Sequence, residues 1–350
     1  MFLYEYTISH VVDRLMCIKK IFLFALLMQF LVVLCKENHY GRVMQARKDA
    51  VEGSIVESVE IYPQKAINSK SRIMRKGLLV RHPNAIATIV ICHGFMCDRF
   101  DSGFLRVVFP REKYNFLTFD FRAHGANIQG QRCTLGRDEA LDVTAAVKFL
   151  KENPNIDNRL PIIGFGFSMG AVASIEAQAS QPLFDAMILD CPFDSCENLI
   201  KRSLNNVKFN FLGYQFSLPG QQLLQKYAFH PYVQSLIKVI VKAIAQLDPQ
   251  DVNVFMCPVD TVKSIKKITV PCFFICCKHD ALVTIEAIKS VYRSSSGAKR
   301  LWLTNGRRHF DSYFYSPELY GKKVEEFIDH VLNNTIEQQD QGIIEDPDEA

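Results

Sequence analysis

LPIIGFGFSMGAVASIEAQA, residues 160–179, joins an apolar run, a glycine-flanked serine and a stretch of small residues in immediate succession. Leu160 to Phe167 has the length and character of a buried strand, and Met169 to Ala179 is composed of residues small enough for a closely packed helix. Between them lies Gly166-Phe167-Ser168-Met169-Gly170. A G-x-S-x-G pentapeptide alone says little, since it arises by chance about 0.1 times in a chain of this length. Between a strand and a helix it describes a nucleophile elbow, a strained turn that lifts a serine hydroxyl above the end of a sheet. Glycines flank the serine because a Cβ at either site would meet the neighbouring strand or helix. The helix start also directs backbone N–H groups toward negative charge developing on a substrate.

Outward from this elbow, short β-branched or aromatic runs alternate with helical spacing. Ser58 to Tyr62, Ile73 to Val80 and Ala87 to Cys92 are strand candidates in close succession. Phe116 to Phe121, Ala186 to Asp190, Cys272 to Cys277 and Leu301 to Leu303 continue the series, and Leu135 to Glu152 has apolar residues at helical spacing. Such alternation predicts an α/β fold with a mostly parallel sheet covered by helices on both faces. The leading strands, which lack intervening helices, predict an antiparallel edge. About 80 residues separate Asp190 from Pro271, far more than a plain crossover needs. The excess, roughly 196–257, is expected to form a helical cap inserted after the sixth strand.

A serine nucleophile needs a base, and the base needs an orienting acid. Asp280 follows the apolar strand PCFFICC, and His309 follows the last strand candidate, in LWLTNGRRHF. Both stand at C-terminal strand ends, the side on which open α/β sheets place ligands. They also occur in the chain order Ser, Asp, His. The rivals to Asp280 are His279, which has the wrong chemistry for an orienting acid, and Asp194 in DCPFD, which could serve from the preceding strand end. The oxyanion requires two backbone donors, expected from Met169 and from Phe95 in ICHGFM, with Met96 as the alternative to Phe95. His93-Gly94 before Phe95 also fits a simple strand-ending turn. Within the cap, Tyr214, Phe216, Tyr227, Phe229 and Tyr232 suggest an apolar acyl pocket, or merely the packing of the cap onto the sheet.

Together, His93-Gly94-Phe95, the D-x-R-x-H-G run Asp120 to Gly125, the elbow around Ser168, Asp280 and His309 resemble the α/β-hydrolase superfamily. The further pattern T-x-G-x-x-E-x-x-D-V, Thr134 to Val143, and the run LDCPF are similar to its serine aminopeptidase-like, prolyl-oligopeptidase-like and Bem46-like members. The resemblance spans about residues 55–332, and the segment 196–257 matches no member in particular. It implies a mostly parallel sheet of eight strands, a cap after the sixth and no cofactor. It also implies structural roles near the site for Asp120, Arg122 and His124. The expected activity is acyl transfer through Ser168, with an ester, thioester or amide as small-molecule or peptide substrate. An esterase is favoured over a peptidase. The contrasting expectation, a non-catalytic protein that binds a ligand or partner, fits poorly because all three triad positions are filled.

The chain has 350 residues, 48% hydrophobic and 22% charged, with a net charge of +4. No long basic run or basic–aromatic interleaving is present, which argues against nucleic-acid binding. Lys19-Lys20 precede an apolar stretch, residues 21–34, expected within 1–40 as a signal peptide or short N-terminal membrane anchor. Met16 would serve as an alternative start, and Cys35 resembles a lipoprotein box with too large a residue, Leu34, before it. Membrane-associated or extracytoplasmic placement is therefore expected, with a cytoplasmic one as the alternative. The 11 cysteines do not strengthen export, because Cys92, Cys272, Cys276 and Cys277 lie inside strand-like runs and no paired metal-ligand spacing occurs. Residues 337–350 are acidic and are expected to be a disordered tail.

Overall fold

Ile162–Phe167 forms strand β5, buried along its whole length at the middle of a nine-stranded sheet. A computed structural model describes residues 53–347, except 105–110, 127–130, 206–207, 212–213, 218–220, 236–253 and 336–339. The strands preceding β5 are β1 (Ile55–Ile61), β2 (Arg75–Arg81), β3 (Ala87–Cys92) and β4 (Tyr114–Phe119). Those that follow β5 in the sheet are β6 (Ala186–Asp190), β9 (Cys272–Cys277), β10 (Lys299–Thr304) and β11 (Asp340–Glu345). The spatial order is β1-β2-β4-β3-β5-β6-β9-β10-β11. β1 and β2 pair antiparallel, as do β2 and β4, and every later pairing in this sheet is parallel. β1 alternates exposed and covered residues, as an edge strand does, whereas β3 to β6 and β9 are buried throughout because helices cover both faces.

Helices α1 (Glu139–Glu152) and α2 (Met169–Ser180) pack on one face. Two more, α5 (Thr261–Ile265) and α6 (Ile285–Ser294), complete that layer. Val143, Ala146, Val147 and Leu150 of α1 join Ala171, Val172 and Ile175 of α2 in the main apolar cluster. On the other face lies α8 (Pro317–Leu332), preceded by the short α7 (Ser312–Tyr315). There Tyr320 stacks on Phe165 and Phe327 packs against Phe273.

Two expectations from the sequence need correction. The sheet has nine strands rather than eight, and the ninth comes from the acidic tail expected to be disordered. Ile343 and Ile344 of β11 pair in parallel with Leu301 and Trp302 of β10. Asp346 then fastens the strand, its N–H donating to Leu303 O (3.0 Å) and its Oδ1 accepting from Trp302 Nε1–H (2.9 Å). Composition hid this strand because two β-branched residues suffice once a sheet edge offers unpaired backbone groups. Truncation after Asn334 is expected to lower the thermal midpoint and raise self-association through the bared β10 edge. Melting and light scattering of the truncated chain check this, and an unchanged midpoint would remove β11 from the stabilising elements.

The segment 196–257 is only partly helical. It holds α3 (Cys196–Asn205), α4 (Gln221–Lys226) and a helical turn at 231–235. Between α3 and α4, β7 (Lys208–Phe211) and β8 (Tyr214–Ser217) form an antiparallel hairpin. The aromatic residues Phe209, Phe211, Tyr214 and Phe216 recur at a period near two, which favours strands over a helix. Among the described residues no helix is long and apolar enough to cross a membrane. The stretch 21–34, with the signal or anchor expected there, lies outside the described residues.

Candidate active site

Ser168 sits between β5 and α2 with φ 48° and ψ −112°, a backbone geometry that L-residues rarely adopt. Its N–H donates to Asp190 O at the end of β6 (2.8 Å), and its carbonyl accepts from Val172 N–H in α2 (3.1 Å). The flanking glycines are required by contact. A Cβ on Gly166 would stand 2.5 Å from Ala171 Cα, and one on Gly170 would overlap the carbonyl oxygens of Cys92 and His93. The helix can therefore start directly over the ends of β3 and β5 only if these two positions lack side chains.

His309 reaches this serine from the loop after β10, and Asp280 from the turn after β9. Ser168 Oγ–H donates to His309 Nε2 (2.8 Å), and His309 Nδ1–H donates to Asp280 Oδ2 (2.6 Å). The other carboxylate oxygen, Oδ1, accepts from Leu282 N–H (2.8 Å) and Val283 N–H (2.9 Å), which fixes the acid's orientation. Because a carboxylate can only accept, the Nδ1 proton is assigned to the Asp280 side and Nε2 is left free to take a proton from serine. Burial acts to lower the His309 pKa, but the hydrogen bond and charge of Asp280, with the charge of Asp190, outweigh it and hold it above the ordinary value. Phe310, at φ 66°, packs edge-on against Phe167 with centroids 4.6 Å apart, tying the histidine loop to the elbow.

The His93-Gly94-Phe95 loop follows β3, beside the start of α2. Phe95 and Met96 occupy a turn closed by Cys97 N–H to Gly94 O (3.3 Å), with Met96 at φ 63° and 48% exposed. His93 Nδ1–H donates to Gly94 O (2.7 Å) and Nε2 accepts from Phe121 N–H (3.0 Å). Burial drives His93 down to about 4 and His124 to about 3, so both rings are neutral near pH 7. Phe95 meets His124 edge to face at 5.7 Å, so the D-x-R-x-H-G run props this loop from behind.

The remaining motif residues hold structure. Asp120 pairs with the buried Arg99, and a Cβ on Gly125 (φ 59°) would strike the Asp120 carboxylate. Arg122 donates to Asp142 through Nη2 (2.8 Å) and Nε (3.1 Å), and to the carbonyls of Lys65 and Gln64 (3.1 Å each). Glu139 accepts from Thr134 N–H, Thr134 Oγ–H and Gly136 N–H at 2.7–2.9 Å, which accounts for the T-x-G-x-x-E spacing.

Of the rivals, His279 is exposed, and Asp194 is engaged elsewhere. Asp194 accepts from Arg202 Nη2–H (2.6 Å) and Asn198 Nδ2–H (2.7 Å). Arg202 in turn donates to Leu282 O (2.7 Å), linking α3 to the Asp280 turn. Reading the sequence did not find Arg202, and no local motif marks it. Of the five cap aromatics, the three whose side chains are described do not form one lining. Phe229 packs against the cluster of Ile200, Leu204, Leu224 and Ala228, while Tyr227 is 46% and Tyr232 83% exposed. Tyr214 and Phe216 stand on β8, and nothing is described of their side chains. Cys191 Sγ, an Asp280 oxygen and a His309 nitrogen lie within 4.8 Å of one another. Two members of this group, Asp280 and His309, are already hydrogen-bonded to each other.

This fold and site define a class. The alpha/beta hydrolase family model matches residues 89–320, and the chain belongs to that family. It is 28% identical over 264 residues to the uncharacterized protein YqkD of Bacillus subtilis (strain 168), covering 74% of this chain and 77% of that one. Its fold is similar to that of the Pyrococcus furiosus esterase Pf2001, with TM-score 0.58 and 24% identity over 79% of this chain and 91% of the other. It is also similar to the Pyrococcus horikoshii acylaminoacyl peptidase, with TM-score 0.53 and 13% identity over 83% of this chain and 43% of the other.

Proposed function

We propose that this chain is a serine hydrolase acting through an acyl-enzyme, and that carboxylic esters with an apolar acyl group are its first substrate class. The observation that carries the reading is the hydrogen-bond chain Ser168–His309–Asp280 at 2.8 and 2.6 Å, built on an elbow at φ 48°. Ser168 Oγ attacks the carbonyl carbon while His309 Nε2 takes its proton, and Asp280 stabilises the imidazolium. The Phe95 and Met169 N–H groups receive the oxyanion. Collapse expels the alcohol, which takes the proton from His309. Water then repeats the sequence to free the carboxylic acid. The apolar acyl preference is supported by Met96, beside the Phe95 donor, and by Phe314, 60% exposed and ring-packed on Phe310 next to the histidine.

A fluorophosphonate probe is expected to label the wild-type protein and to leave Ser168→Ala unlabelled. Absence of labelling on folded wild-type protein would retire the serine reading in favour of a ligand-binding role. p-Nitrophenyl esters of increasing chain length, assayed beside aminoacyl amides, test the substrate class, and faster turnover of the amides would make it a peptidase. Because imidazolium cannot accept the serine proton, kcat/KM is expected to fall as pH drops below the raised His309 pKa.

A further inference from the structure

Asp190 ends β6 one strand away from both halves of the site. Its backbone oxygen accepts the Ser168 N–H at 2.8 Å, and the strand register sets it opposite Phe167 on β5 and Ile275 on β9. Its side chain is fully buried. Oδ2 accepts from Tyr320 Oη–H of α8 (2.7 Å), whereas Oδ1 finds no hydrogen-bond partner among the described residues. The next residue, Cys191, is held at φ 51°, and its Sγ lies within 4.8 Å of the Asp280 and His309 donor atoms. A carboxyl so placed is costly unless its charge or its geometry serves the site. None of the acyl-transfer steps above assigns it a part.

We propose that Asp190 is a positioning residue for the reaction, holding the nucleophile's backbone through its carbonyl oxygen and biasing His309 toward imidazolium through its buried carboxylate. This inference rests on the reading of Ser168 and His309 as nucleophile and base. The biased form is the one created when serine gives up its proton, so a second buried anion on the neighbouring strand favours the charge-separated state. Tyr320 serves Asp190 in turn, because its hydroxyl stabilises the ionised carboxylate. The titratable groups around Asp190 are Tyr320 on α8, Cys191 beside it, Cys276 and Cys277 on β9, and Asp280 and His309 themselves. Burial pushes the Asp190 carboxyl up to about 6, with Tyr320 and Cys191 pulling it back. It therefore carries charge at and above neutral pH.

The test is the titration of the His309 imidazole by NMR, assigned by comparison with His309→Gln, beside the pH dependence of kcat/KM. Asp190→Asn keeps an acceptor for Tyr320 and removes the charge. Its His309 midpoint and the acid limb of its rate profile are expected to move about 1 pH lower or more, since an opposite charge beside an ionisable group shifts its titration by roughly 1–3. Tyr320→Phe is expected to shift both in the same direction by less, because an unassisted Asp190 ionises less readily. It serves as the test if Asp190→Asn does not fold. An unchanged or raised His309 midpoint in either folded variant would overturn the proposal. If wild-type protein hydrolyses nothing at any pH, the serine hydrolase reading fails separately, and the NMR midpoint still reports on Asp190.

Discussion

Ser168→Ala is expected to lower kcat/KM toward an activated ester by roughly 10⁴–10⁶-fold while leaving the fold intact, as loss of the nucleophile does in hydrolases with such a site. The side chain contributes one hydrogen bond, to His309 Nε2, and its removal leaves a partly exposed nitrogen that water can reach. Stability should therefore change little. Ser168→Gly makes the contrast, because it is equally inactive but frees the backbone. At φ 48° and ψ −112° a Cβ costs on the order of 1–3 kcal/mol, and glycine's extra unfolded-state entropy offsets part of the relief. Ser168→Gly is expected to exceed Ser168→Ala by about 1 kcal/mol in urea unfolding. Equal midpoints would mean that the elbow stores no strain.

The second large effect lies in the D-x-R-x-H-G run. Arg122→Ala is expected to cost about 3–5 kcal/mol, because Asp142 would keep a buried charge with its partner gone. Arg122 and Asp142 side chains are 3% and 0% exposed, so water cannot replace the guanidinium. The carbonyls of Gln64 and Lys65 would lose their donors as well. Arg122→Met combined with Asp142→Asn removes both charges and keeps an acceptor for the Arg122 N–H, which Asp142 now satisfies at 2.9 Å. Much of the loss should return in that double variant. A single-variant cost under about 1 kcal/mol would show that the pair is not what joins the Asp120 loop to α1.

The elbow was legible because its signal is local. Strand, turn and helix stand within residues 160–179, and each glycine answers to a clash a few residues or one strand away. Asp280 and His309 could be chosen from a distance because strand ends in a parallel sheet converge on one edge. Asp194 also stands at such an end. What separates it from Asp280 is Arg202, which neutralises it, and nothing near Asp194 in the sequence marks that pairing. The tail was misread for a related reason. Asp340–Glu345 has little tendency of its own to order, and it becomes a strand because β10 presents an open edge. In the cap, the period-two aromatic residues of β7 and β8 extend over only four residues in each strand, too short a pattern to set a hairpin apart from a helical cap.

Local spacing and chain order alone thus indicated the parallel sheet, the elbow at Ser168 and the candidate acid and base, since each follows from side-chain period, glycine geometry or the order of strand ends along the chain. The ninth strand, the Arg99–Asp120, Arg122–Asp142 and Asp194–Arg202 pairs, and the burial of Asp190 against Tyr320 belong to the folded molecule. They join residues 8 to 130 positions apart, and which buried charge meets which partner depends on how strands and helices pack. Short-range pattern does not encode that pairing, because a buried charge is tolerated only where distant chain segments bring its counter-charge or hydrogen-bond donor into contact.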